Sequence, residues 1–344
     1  MRRKLCLWGG AGCLLLLLSA SLSLSIGTVR LPLLQVWGIL AHHVPWIHGY
    51  VTPDWQASAD QIIWRVRLPR VVLAICVGAS LGIAGAAFQG VLRNPLADPY
   101  TLGVSSGAAV GASFLILTGL QFALFGSWSV PVVAFVTGGI SLVIVIALAR
   151  SDGKLQRETV ILSGVVMQAF LGSFVSLMVA MSKQVVNEIV FWLMGSLALR
   201  GWAYSGVMLP YLAVGTLILL SYGRSMNLFA LGERQAAHLG VHVERTKLVV
   251  LIAATLVTAA AVSVSGVVAF VGLIVPHLLR LMIGADYRLL LPLSLLGGAL
   301  YVLWADTLAR TVLSPMEIPL GVVTALLGAP FFAYLLRRQK KTAG

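Results

Sequence analysis

The sequence predicts an all-α polytopic membrane protein, about ten transmembrane helices in a compact bundle. Composition is the first observation: hydrophobic residues are 59% of the 344 and charged residues 10%, with a mean hydropathy of +0.97. Soluble domains carry about 25% charged residues. Second, the apolar residues fall in runs of about 20, the length a helix needs to cross a ~30 Å hydrocarbon layer. Third, the basic residues behind the net charge of +13 sit at the ends of those runs, where topology-setting charges belong. They form no basic face or arm, so no nucleic-acid partner is indicated.

Charges, prolines and glycine clusters bound ten expected spans, at roughly 5–26, 69–92, 101–120, 129–149, 158–181, 204–222, 247–264, 267–284, 289–308 and 318–336. The first follows Arg2, Arg3 and Lys4, as a secretory signal would. Its apolar run of about 22 residues, with Ala11-Gly12-Cys13 early in it, favours a retained span. The third, rich in Gly and Ser, and the eighth, interrupted by Pro276, are expected to be short or broken. Glycines 78, 82 and 85 in the second span, with Gly103 and Gly107 in the third, are spaced for close helix packing. Cys6, Cys13 and Cys76 show no metal-ligand spacing and read as packed thiols.

With the N-terminus inside, ten crossings bring the C-terminus back inside. Seventeen of the 24 Lys and Arg residues then face inward, and Arg30, Arg65, Arg67, Arg70, Lys183, Arg200 and Arg310 face outward. That bias fits the positive-inside rule.

Two polar stretches are too long to be turns. Residues 27–68, on the outer side, hold Trp37, Trp46, Trp55 and Trp64 with His42, His43 and His48. The tryptophans read as an interfacial belt on an amphipathic segment. A haem or metal role for the histidines lacks regular spacing and an acidic or Cys partner. Residues 223–247 are cytoplasmic, and Glu233 to Leu239 between Gly232 and Gly240 reads as a short, glycine-capped helix. Such a helix suits a cytosolic partner.

The motifs are more specific. Arg67-Leu-Pro-Arg70, Gly85-Ala-Ala-Phe-Gln-Gly90 and the run from Arg93-Asn-Pro to Gly107 come first. They are followed by Gly232 to Gly240, Phe270-Val-Gly-Leu-Ile-Val-Pro-His277 with Leu279-Arg280, Ala305-Asp306 with Ala309-Arg310, and Glu317-Ile-Pro to Phe331. In order and spacing these resemble the FecCD family of ABC-transporter permeases, over about residues 60–338. The resemblance implies a single permease domain over 1–344 with the type II ABC importer fold. It implies a multi-pass protein of the bacterial cytoplasmic (inner) membrane, both termini cytoplasmic, importing a metal chelate such as iron-siderophore, haem or cobalamin. Its implied partners are a second permease copy or paralogue, two cytosolic ABC ATPases, an extracytoplasmic substrate-binding protein and the surrounding membrane lipid.

The resemblance also assigns roles. Arg67, Arg70 and Arg310 would form an outer rim that pairs with acidic residues of the binding protein, a task suited to the bidentate guanidinium. Snorkelling anchors are the alternative. Arg65 precedes the matched motif and is a weaker candidate. Gly232, Glu233, Arg234, Ala236, Ala237, Leu239 and Gly240 would couple to the ATPase: Glu233 and Arg234 by polar contacts, Ala236 and Ala237 by close approach, Leu239 as an apolar anchor. Ser163, Gly164, Met167, Gln168 and Ser173 on the fifth span would line the pathway. No G-x-x-x-x-G-K-[ST] loop occurs, so the chain is not expected to be an enzyme or to bind a cofactor, and ATP belongs to the partner.

His277, Arg280 and Asp306 are ionisable groups within spans, where function is the default suspicion. The structural reading is preferred, with Asp306 or a carbonyl satisfying a buried cation. Two other classes compete. An ion-coupled secondary transporter would share the bundle, but not the long motifs or the short cytoplasmic helix. An intramembrane enzyme would need an H-E-x-x-H pair, two facing aspartates or an acidic or His-rich cluster, and none is present.

Overall fold

The structure is a computed structural model that describes residues 2–151 and 154–343. Its helices are α1 (Arg2–Ser25), α2 (Leu33–His42), α3 (Ala57–Val91), α4 (Val104–Leu117), α5 (Ser129–Ala149), α6 (Arg157–Met181), α7 (Val186–Met194) and α8 (Trp202–Ser221). They continue with α9 (Gly223–Phe229), α10 (Glu233–His238), α11 (Val243–Ser265), α12 (Val271–Ile283), α13 (Tyr287–Ala309) and α14 (Leu320–Ala343). After α5, β1 (Arg150–Ser151) and β2 (Lys154–Leu155) pair antiparallel, two residues each. Of the inner-side charges, Arg2, Arg337, Arg338, Lys340 and Lys341 have side chains outside the described set.

Among the described residues, seven helices are long and apolar enough to cross a membrane: α1, α3, α5, α6, α8, α11 and α13. The other three expected spans fall on α14 and on the short apolar helices α4 and α12. α3 is the axis of the bundle, packed by α13, α11, α12 and α8. From Pro69 onward it is buried almost all round, with Phe88, Leu81 and Ile83 fully buried. Its glycines make that position tenable. A Cβ on Gly78 would lie 2.8 Å from Val302, one on Gly82 would lie 3.1 Å from the Gly298 Cα, and one on Gly85 would overlap the Gly272 backbone. Close backbone approach of this kind is how membrane helices gain packing contacts that lipid cannot replace.

The third and eighth spans are short, as their composition predicts, although α12 runs unbroken through Pro276 and its non-helical backbone lies before it, at 266–270. α4 has 14 residues and α12 has 13, each about 20 Å at 1.5 Å per residue. Irregular backbone leads into both, over 98–103 and 266–270. These two segments meet: the Tyr100 hydroxyl donates to the Val268 carbonyl at 2.7 Å and accepts from the Val268 N–H at 3.1 Å. Irregular backbone within a membrane bundle is tolerable only where protein groups satisfy it in this way. Pro276 in α12 leaves the Gly272 carbonyl without its helical donor, and the Gln89 amide of α3 donates to it at 3.1 Å. The other face of Gln89 accepts from Arg280 at 3.0 Å, and Arg280 also reaches the Tyr287 hydroxyl at 3.4 Å.

Candidate coupling and docking sites

The three outer arginines do not form a free rim. Arg67, Arg70 and Arg310 are 5, 9 and 6% exposed. Arg67 donates to the carbonyls of Leu24 (2.7 Å), Ser25 (3.3 Å) and Val29, pinning the end of α1 to α3. Arg70 makes a bidentate pair with Asp306, its Nε 3.0 Å from both oxygens and its Nη2 2.9 Å from Oδ1. Its Nη1 donates to Glu317 Oε1 at 2.9 Å. Arg310 holds the Ser23 hydroxyl at 2.7 Å and sits 3.9 Å from Asp306. A guanidinium taken out of water must be paired, so the cluster ties α1, α3, α13 and the 314–319 loop together. Asp306 does satisfy buried cations, but they are Arg70 and Arg310 rather than His277 or Arg280. Both ring nitrogens of buried His277 lack a partner among the described residues.

The fifth-span candidates on α6 divide into buried and exposed residues. Ser163, Gly164 and Met167 are buried. A Cβ on Gly164 would lie 3.0 Å from the Leu102 Cα, and Met167 packs against Gly103, so these two hold α6 on the lead-in to α4. Gln168 and Ser173 are exposed, as are Phe170, Phe174 and Leu177.

The short helix expected over 233–239 is present as α10, between Gly232 (φ +115°) and Gly240 (φ +87°), conformations that favour glycine. Its residues divide differently from the sequence expectation. Arg234, Ala237 and Leu239 are exposed, Leu239 by 59%. Ala236 is fully buried in the chain's own core and offers no close approach to a partner. Glu233 turns inward to Lys247 and Arg157 rather than outward. The segment has a second tether that the sequence did not suggest. Asn227 donates to Asp286 at 2.6 Å and accepts from the Tyr287 N–H at 2.8 Å, fixing α9 to the start of α13. Arg288, assisted by Asn227, holds the Asp286 carboxyl below the usual carboxylate range.

Helix α7 was not anticipated either, although Ile189–Met194 is an apolar run ahead of Gly195. Beside it lies a cavity of about 450 Å³ lined by Gln121, Glu188, Trp192, Arg200 and Tyr204. The Arg200 guanidinium sits 4.6 Å over the Tyr204 ring. In the 27–68 segment the rings of His42 and His48 lie 4.1 Å apart and His43 stacks on Trp64 at 4.0 Å. Among the described residues, no group of three metal-ligating side chains converges.

A buried ion cluster lies at one end of the bundle, a short helix between two positive-φ glycines at the other, and two short helices between them. A sequence profile described as the FecCD transport family matches residues 15–338. The chain belongs to the FecCD transport family. The Bacillus subtilis ABC transporter permease protein YvrB, itself uncharacterised, is 44% identical over 95% of this chain and 92% of its own length. The cobalamin import system permease BtuC of Halobacterium salinarum is 46% identical over 83% of this chain and 76% of its own. The hemin transport permease HmuU of Yersinia pestis is 41% identical over 83% of this chain and 87% of its own. A solved inward-facing structure of a transporter assigned to the metal-chelate type superposes with a TM-score of 0.83 and 33% identity, covering 98% of this chain and all of that one. This FecCD-family chain is therefore a multi-pass membrane protein of the ABC permease class.

Proposed function

We propose that the chain is the permease subunit of an ATP-driven importer that carries a metal chelate inward by alternating access, working with a second permease copy or paralogue. The observation that carries this reading is family membership joined to an exposed, glycine-capped α10. The sequence has no phosphate loop, so two cytosolic ATPases supply the hydrolysis. The membrane is the cytoplasmic one, with both termini inside. Relatives named for cobalamin, hemin and iron dicitrate import support a chelated metal as the cargo class.

Arg234, Ala237 and Leu239 form the face of α10 that meets the ATPase. On the outer side an extracytoplasmic binding protein docks by exchange: an acidic side chain of that protein displaces Glu317 from Arg70 Nη1. Glu317 is suited to leave, because its side chain is 42% exposed and it holds Arg70 by one bond. Glu317→Gln then strengthens docking at low salt and Arg70→Met weakens it; equal affinities for both variants would refute the exchange. Uptake into proteoliposomes tests the whole reading, and it should require ATP, the ATPase and the binding protein together.

A further inference from the structure

Four charged side chains meet beneath α10, and they come from three helices. Lys247 of α11 is 3% exposed. Its Nζ lies 2.7 Å from Glu233 Oε2, 3.2 Å from Glu244 Oε1 and 2.9 Å from the Leu155 carbonyl of β2. The other oxygen of Glu233 faces Nε of Arg157, the first residue of α6, at 3.6 Å. Glu244 Oε2 accepts from the Leu155 N–H at 2.8 Å. One carboxylate of α10 is thus bonded to both α11 and α6.

Burial makes this arrangement stiff. A desolvated ammonium is costly unless paired, so Lys247 does not release Glu233 without another anion at hand. Glu244, the nearest, is already bonded to Lys247 and Leu155. α10 has six residues with a positive-φ glycine on each side, so it turns as a unit. The Asn227–Asp286 tether fixes the chain ahead of it to α13. Among the described residues, the ion pairs of α10 all run through Glu233, so a push on the outer face of α10 leaves by that carboxylate.

From this geometry we infer that Glu233 is the joint that passes a displacement of α10 to α6 and α11, a positioning residue rather than an ATPase contact. α6 is 25 residues long and carries the exposed Gln168 and Ser173, so a shift at Arg157 reaches the far end of the bundle through a rigid helix. The inference rests on the ATP-driven reading above.

The test uses the assembled importer in proteoliposomes with its cognate ATPase and binding protein, offered radiolabelled cyanocobalamin, haemin and ferrichrome in turn. The quantity measured is ATP consumed per molecule imported. Glu233→Gln and the milder, half-buried Arg157→Gln should each raise it about tenfold, within the range set by a coupling free energy of 1–3 kcal/mol. The ATPase should still co-purify with both variants. Because both cut one link, the double variant should be no worse than either single one, and Glu233→Asp, which keeps the charge, should recover most of the coupling. An unchanged ratio in Glu233→Gln and Arg157→Gln overturns the joint. So does loss of the ATPase from Glu233→Gln, which would make Glu233 a docking residue, or a lowered melting temperature with the ratio intact, which would make it only a brace. Wild-type uptake without ATP would instead remove the transport reading itself.

Discussion

Gln89 stands in for the N–H that Pro276 lacks, and that substitution of one donor for another is measurable. In Gln89→Leu the Gly272 carbonyl loses its donor and Arg280 keeps only the weaker Tyr287 contact. An orphaned buried carbonyl costs about 1–3 kcal/mol and a lost bond to a charged group about 1.5–3. Interhelical hydrogen bonds measured in a membrane average only about 0.6 kcal/mol. Weighing these, Gln89→Leu should destabilise the protein by about 2 kcal/mol in denaturant titrations of detergent- or bicelle-held protein. The deciding comparison is Pro276→Ala, which returns a backbone N–H to the Gly272 carbonyl. In that background Gln89→Leu should cost about 1 kcal/mol less. An equal cost in both backgrounds would refute the claim that Gln89 replaces the proline's missing donor.

Three further outcomes follow from the packing and the ion clusters. Gly85→Leu should prevent α12 from seating on α3 and sharply lower the yield of monodisperse protein, whereas Gly139→Ala, with open space around it, should leave yield and melting unchanged. Asp306→Ala should cost about 3–5 kcal/mol, the usual result of removing one partner of a buried ion pair, since Arg70 would keep only Glu317, seen as a lowered melting temperature in detergent. The Asp286 carboxyl is held below its ordinary value of about 3.9. Its contribution is therefore present above that value and lost as pH falls, so the melting difference between wild type and Asp286→Asn should be constant from neutral pH to about 5 and shrink below about 4.

Much of the bundle was legible in the sequence because bilayer constraints act locally. An apolar run must be a helix to satisfy its own backbone, so all ten expected spans lie on helices, and the Gly/Ser content of the third and Pro276 of the eighth marked the two that are short. The glycines of α3 were legible for the same reason, since nothing else explains three small residues in a row of turns. Side-chain direction was not legible. The position of Glu233 next to Gly232 gave no sign that its carboxylate turns toward Lys247, which lies 14 residues on, or toward Arg157 of another helix. Arg67, Arg70 and Arg310 were rightly grouped at one end, but their burial depends on Asp306, Glu317 and the Leu24–Val29 carbonyls, partners fixed only by tertiary packing. Ser163, Gly164 and Met167 share a helix with Gln168 and Ser173, and only the position of α4 shows which of them face the bundle.

The most direct measurement is uptake of radiolabelled chelate into proteoliposomes holding the permease with its ATPase and binding protein. Accumulation should require ATP and both partners, and should persist when proton and sodium gradients are collapsed. Accumulation driven by either gradient with the ATPase absent would contradict the account.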